Sequence, residues 1–265
     1  QIAEIDSSLQ ALYAEALRIR GLNSYRLGQT RNAVSDLERS LHLYMELKET
    51  GSVSLLLAET AMVRATIGDV EAAKALYKQT LDRLRHEKNL HVLAGTLNNL
   101  GVLYLQLGEY ENATDTFEEG LECARGCRNQ RAEALILAGL GDLYSEIEEF
   151  QAAAHAYEQA EDVSSNASGI FISSYLILAR ANLALLQNDA QSALDLLTRF
   201  KGELKINPSG YERGLWALQQ GRYHLLMGNS KKAVHLLNEG KSIFLQDGRE
   251  AEYHWCIIWL IATYA

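Results

Sequence analysis

The chain has 265 residues, 48% hydrophobic and 22% charged, enough apolar material for one large core or two modest ones. Its 25 Lys and Arg against 34 Asp and Glu give a formal charge of -9, which argues against a protein that coats nucleic acid or an anionic membrane. Three cysteines that cannot all pair, no targeting segment and no long apolar run point to the reducing cytoplasm, and Gly 19 beside Pro 1 argues against a loop-rich or disordered chain.

Residues 1–13 read as the end of a preceding second helix, and the start at Gln1 as a cut from a longer protein. From residue 14 a period of 40 runs through the chain without a gap. The repeats are 14–53, 54–93, 94–133, 134–173, 174–213 and 214–253, forming one domain over 1–265. In chain order each opens with a helical segment carrying a small residue: Gly21, Ala61, Gly101, Gly141, Ala181 and Gly221. Seven residues on stands a turn position, Gly28, Gly68, Gly108, Glu148, Asn188 and Gly228. Five further on is always Ala (33, 73, 113, 153, 193, 233), and four beyond that a large apolar residue: Leu37, Tyr77, Phe117, Tyr157, Leu197 and Leu237. Residues 254–265 open a seventh first helix, with Leu260 and Tyr264 in the expected columns. Its "WCIIWLIATYA" is not the polar outer face of a capping repeat, so this end is expected as an exposed interior or a surface for self-association.

These offsets follow the 3.6-residue helical period, not the strand period of two. Each repeat is a helix, a tight turn ended by a left-handed residue, and a second helix. The small column lets the paired helices approach, and the large apolar column fills the gap between successive pairs. The fold is therefore all-α, a right-handed α-solenoid of antiparallel helix pairs, its apolar residues spread along a stack. Pro208 falls in a connection between repeats.

The columns resemble the tetratricopeptide repeat family, most closely at "LNNLGVLYLQLGEYENATDTFEEGLE" (97–122) and "GLGDLYSEIEEFQAAAHAYEQAE" (139–161). Repeats five and six drift, with Ala184 and His224 where Tyr104 and Tyr144 stand. The family unit is 34 residues, and the extra six are expected to lengthen the second helix and its connection. Forty-residue repeats look like those in the sensor arms of large bacterial transcription regulators, such as the maltose-system activator and its ATP-dependent relatives, and in eukaryotic polarity adaptors. The resemblance implies a sensor or scaffold role.

Catalytic signatures are missing: the sequence has no phosphate-binding G-x-x-x-x-G-K-[ST], no H-E-x-x-H, no G-x-S-x-G and no C-x-x-C. Cys123 and Cys127 lie one helical turn apart, with no second pair to complete a metal site. The seven histidines are scattered. No enzyme activity, cofactor or metal is expected.

In the family the concave face is lined by first helices and read from the second, fifth, sixth, ninth, twelfth and thirteenth positions of each repeat. Carried onto this chain, the candidates are Arg18, Tyr25, Asn98, Asn99, Asp142, Asn182 and Arg222. Asn amides offer donors and an acceptor to an extended peptide or to sugar hydroxyls, and Arg can fork onto carboxylates. The chaperone-tail clamp of some members is not matched, because Arg18, Leu22 and Glu59 stand in its columns. A second candidate is apolar: Tyr175, Leu178, Leu185, Leu215, Leu218 and Leu225 across repeats five and six, suited to an amphipathic helix if open and to inter-repeat packing if not. A basic cluster of Arg18, Arg20, Arg26 and Arg31 is mixed with acids and is no phosphate track. The expectation is the ligand-sensing or protein-interaction arm of a larger regulator. It would bind a protein, a peptide or a small effector, without direct nucleic-acid or membrane contact. The alternative is a stand-alone scaffold that binds a peptide or helix.

Overall fold

The computed structural model describes residues 2–166, 170–203 and 209–264. Among them are thirteen helices and no strand: α1 (Ile2–Arg26), α2 (Thr30–Glu46), α3 (Thr50–Thr66), α4 (Val70–Glu87), α5 (Leu90–Gln106), α6 (Tyr110–Gly126), α7 (Gln130–Glu146), α8 (Phe150–Asn166), α9 (Ile170–Leu186), α10 (Ala190–Glu203), α11 (Gly210–Leu226), α12 (Ser230–Gln246) and α13 (Glu250–Ala262). Pro208 lies outside the described residues.

From α2 onward a helix begins every 20 residues, and most are 17 long. The sequence reading puts the six residues beyond the family unit into the second helix and its connection. In the structure first helices such as α3, α5 and α7 and second helices such as α2, α6 and α12 are alike 17 residues long, and most described joints of both kinds span three residues. The joints explain why. Ten described joints each hold one residue at positive φ: Gly28, Gly68, Gly108, Gly228 and Gly248, and also Lys48, Lys88, Arg128, Glu148 and Asn188. The next residue's N–H reaches back to the carbonyl five residues earlier, as from Gln29 to Ser24 (2.8 Å) and from Asn129 to Ala124 (2.8 Å). This satisfies carbonyls the helix end leaves open. The following helix then starts at once, capped by the Asn89 or Asn129 side chain, or by the Ser209–Glu212 capping box.

Residues 2–13 do not form the tail of a separate second helix. They run without a turn into α1, which is 25 residues long, because no turn residue stands between Ile2 and Arg26 to break the hydrogen-bond ladder.

Packing follows the columns. All six column alanines, from Ala33 to Ala233, are fully buried. The small column faces the large one. A Cβ added at Gly101 would lie 2.6 Å from the Phe117 ring and one at Gly221 2.7 Å from Leu237. A Cβ added at Gly139 of the next first helix would likewise lie 2.6 Å from Phe117, so one ring locks its own pair and the following one. First helices pack on the next first helix from α3 through α13, while second helices pack on the first helices flanking them. The first helices form the inner layer and the second helices the outer one. On α13, Ile258, Ile261 and Tyr264 are exposed, while Cys256 is buried.

The stack also returns on itself. A Cβ on Gly28, in the first joint, would sit 2.7 Å from Asp247 Oδ1 and 2.9 Å from Asp247 Cα, in the last. A Cβ on Gly248 would meet Thr30 Oγ1 at 2.8 Å, and Gly68 faces Glu250. The Arg249 guanidinium lies over both Tyr25 (5.8 Å) and Tyr211 (4.1 Å). First and last repeats therefore touch through their turns.

Two predictions follow from these joints. Gly28→Ala and Gly108→Ala impose the same left-handed penalty, about 1–2 kcal/mol, but nothing lies within 4 Å of Gly108. Gly28→Ala should cost about 1 kcal/mol more by overpacking the closure, measured by urea unfolding; equal losses would show that the ends do not meet. Glu148→Gly relieves a left-handed non-glycine at an exposed joint and should raise stability by about 0.5–1 kcal/mol.

Candidate functional site: the concave face

Because first helices repeat every 40 residues, equivalent side chains form rows across the inner layer. One row holds Asp142, Asn182 and Arg222 on α7, α9 and α11. Asp142 accepts hydrogen bonds from Tyr157 on α8 (2.7 Å) and from Tyr175 on α9. Burial pushes its carboxyl up to about 6, against the pull of the Tyr175 and Tyr157 hydroxyls and with repulsion from Glu146. Asn182 accepts from Arg222 Nη1, which also donates to Gln219 (3.1 Å). The Arg222 guanidinium lies 4.4 Å from the Trp259 ring centroid. Burial lowers its pKa to about 10, with Glu146 opposing the fall, so it stays charged at neutral pH.

Toward the N-terminal end the same face is self-satisfied. Arg18 forks onto Glu59 of α3 (2.7 and 2.6 Å) and reaches Glu15 (2.9 Å). Burial pushes the Glu59 carboxyl up even beside that guanidinium. Tyr25 bonds Thr66 Oγ1 at 3.3 Å. Arg20 is likewise held by Asp36, at 2.6 Å to each oxygen. Asn98 is buried; its Nδ2 donates to Asn99 Oδ1 (3.1 Å) and its Oδ1 has no partner among the described residues.

Residues 14–255 match the family model described as the MalT-like TPR region. The chain belongs to this family. No curated protein matches it. Among solved structures, a Rap protein complexed with competence and sporulation factor superposes with a TM-score of 0.66 at 16% identity, covering 96% of this chain and 64% of that one. RapI in its apo form gives 0.62 at 13% identity, covering 99% and 78%. BtubC (BKLC) from P. vanneervenii gives 0.58 at 18% identity, covering 82% and 89%. At these identities the likeness is one of fold.

Within the MalT-like TPR frame, the sequence candidates separate. Asp142, Asn182 and Arg222 share a row, and Tyr175 joins them through Asp142. Arg18 stands apart, its fork filled by the protein's own Glu59, so it is not free to take a ligand carboxylate. The apolar patch is not an open surface: Leu178, Leu185, Leu215 and Leu218 are buried in the packing between repeats, which leaves no bed there for an amphipathic helix. Tyr175 and Leu225 are half-buried. Among the described residues no cluster could hold a metal, and no helix is long and apolar enough to cross a membrane.

Sequence reasoning missed Tyr157, Gln219, Arg249 and Trp259. Tyr157 had been assigned to packing alone, although its buried hydroxyl donates to Asp142. Gln219 and Trp259 occupy the sixth position of their repeats, so the same positional rule reaches them. Arg249 sits in a joint, where its partners are Glu252 on the next turn, Tyr211 of α11 and, through the closure of the stack, Tyr25.

The Asp142 proton is held more tightly by the folded chain than by the unfolded one, where the ordinary value is 3.8. Its contribution to stability is full below that value and is lost as pH rises through about 6. Wild type should lose about 2 kcal/mol between pH 4 and pH 7 relative to Asp142→Asn. Urea midpoints across that range check this, and parallel profiles for the two proteins would contradict it.

Proposed function

We propose that this chain is the regulatory, partner-binding arm of a larger bacterial transcription or signalling regulator, and that it receives its partner on the concave face of the first helices. The observation that carries this reading is the row of polar side chains across that layer. In that row Asp142, Asn182 and Arg222 keep part of their surface open, as does Asn99 in the neighbouring column on α5, although packing alone would favour apolar residues there. Amides in such a row offer both donors and acceptors to the backbone of an extended peptide. The family supports a binding rather than a catalytic role, and the Rap relative was solved with a factor bound. The partner class is protein or peptide. The joints hold the first helices at a fixed spacing, so ligand contacts on successive helices are pre-arranged and little ordering is lost on binding.

The test is selection of peptides from a displayed random library on the wild-type chain. Selected peptides should bind Asn99→Ala and Asn182→Ala at least tenfold more weakly, about 1.4 kcal/mol, with circular dichroism unchanged. Selection that returns no binder, or binders indifferent to both substitutions, would contradict the reading.

A further inference from the structure

We propose that Arg222 anchors a carboxylate-binding subsite on the concave face, taking an Asp or Glu side chain or the terminal carboxylate of a peptide. This deepens, and rests on, the partner-binding reading above. The Arg222 guanidinium is fixed on three sides. Nη1 donates both to Asn182 across the groove and to Gln219 one turn back (3.1 Å), and the Trp259 ring lies 4.4 Å away. The opposite edge, Nε and Nη2, has no hydrogen-bond partner among the described residues, and Nε is buried. No carboxylate of the described residues pairs with it, and the side chain as a whole is half-buried.

That edge is the one that receives the two oxygens of a carboxylate. Two other arginines of this protein use it so: Arg18 closes Nε and Nη2 on Glu59 at 2.7 and 2.6 Å, and Arg20 closes the same atoms on Asp36 at 2.6 Å each. Arg222 is set up in the same way, its plane fixed and its edge unpaired, without the acid. A desolvated cation with no counter-charge is costly to a fold, and an incoming carboxylate would remove that cost. The charge that Arg222 senses is Glu146, with Asp142 two first helices away in the same row. Such a surrounding disfavours a doubly charged phosphoryl group and favours a singly charged carboxylate group. The amide oxygens of Asn182 and Gln219 orient the guanidinium, and the Asn182 amide nitrogen is left to donate to the ligand backbone.

Wild type, Arg222→Gln and Arg222→Lys are melted in succinate, in inorganic phosphate and in sodium chloride at matched ionic strength. Succinate at ten times its dissociation constant should raise the wild-type Tm by about 2–4 °C over chloride. Arg222→Gln should not shift, and Arg222→Lys, which keeps the charge and loses the fork, should shift less than half as far. Both variants should unfold in urea no earlier than wild type, since neither creates a new buried charge. Equal shifts in wild type and Arg222→Gln, or no shift in any anion, overturn the subsite. A phosphate shift without a succinate shift overturns the carboxylate assignment. Peptides selected on the wild type are then remade with an amidated C-terminus, or with Asp and Glu replaced by Asn and Gln. A tenfold loss in one series identifies which carboxylate binds. Unchanged affinity in both overturns this proposal and leaves the partner-binding reading standing. Failure to select any peptide removes that reading, while a succinate shift confined to wild type still supports the subsite.

Discussion

Everything in this molecule depends on how closely the two helices of a pair can approach. At Gly21, Gly101, Gly141 and Gly221 the first helix presents no side chain, and the large residue of the second helix fills that gap. Phe117 does so against Gly101 and against Gly139 of the next repeat. Pair geometry and inter-pair geometry are thereby set by the same side chain. Repetition of that lock brings equivalent positions of successive first helices into rows across the inner layer. A larger residue in the small column would move one pair and shift every helix beyond it, breaking the rows.

The electrostatics of the inner layer follow from a shared constraint, met in different ways. Charges near the axis are partly withdrawn from water and need compensation. Arg18 has Glu59. Asp142 has two tyrosine hydroxyls, which stabilise its charge less than burial destabilises it. Arg249 has aromatic faces and Glu252 at 3.6 Å. Arg222 has amides and an indole, which orient a cation without neutralising it. The N-terminal half of the face is consequently electrically closed, and the half built by α7 to α13 is open.

Much of the architecture could be read in the sequence because its determinants are residue types in columns. Ala33 and its equivalents admit nothing larger, and Gly28, Gly68, Gly108 and Gly228 mark the turns directly. The second kind of joint was not legible. Lys48, Lys88, Arg128 and Gly248 adopt the same left-handed backbone but have no single residue type in common and are mostly not glycine, so the 20-residue metre was hidden within the 40. At the site, the positional rule found the row of Asp142, Asn182 and Arg222. It could not tell that Arg18 is consumed by Glu59, since placing two residues on one face does not fix which side chains pair. The leucines of repeats five and six were ambiguous for a related reason: inter-repeat packing and ligand grooves use the same apolar residues.

The contact of Gly28 and Thr30 with Asp247 and Gly248 changes the statistical character of the stack. An open array of repeats has two ends, each held by one neighbour, and it loses structure by fraying inward from them. Here repeats one and six acquire a further neighbour, and opening either of them breaks this contact as well. Between them the array behaves less as a row of units that can be lengthened or shortened and more as a hoop. Deleting one repeat from that span would do more than subtract one unit's stability: it would also break the circuit.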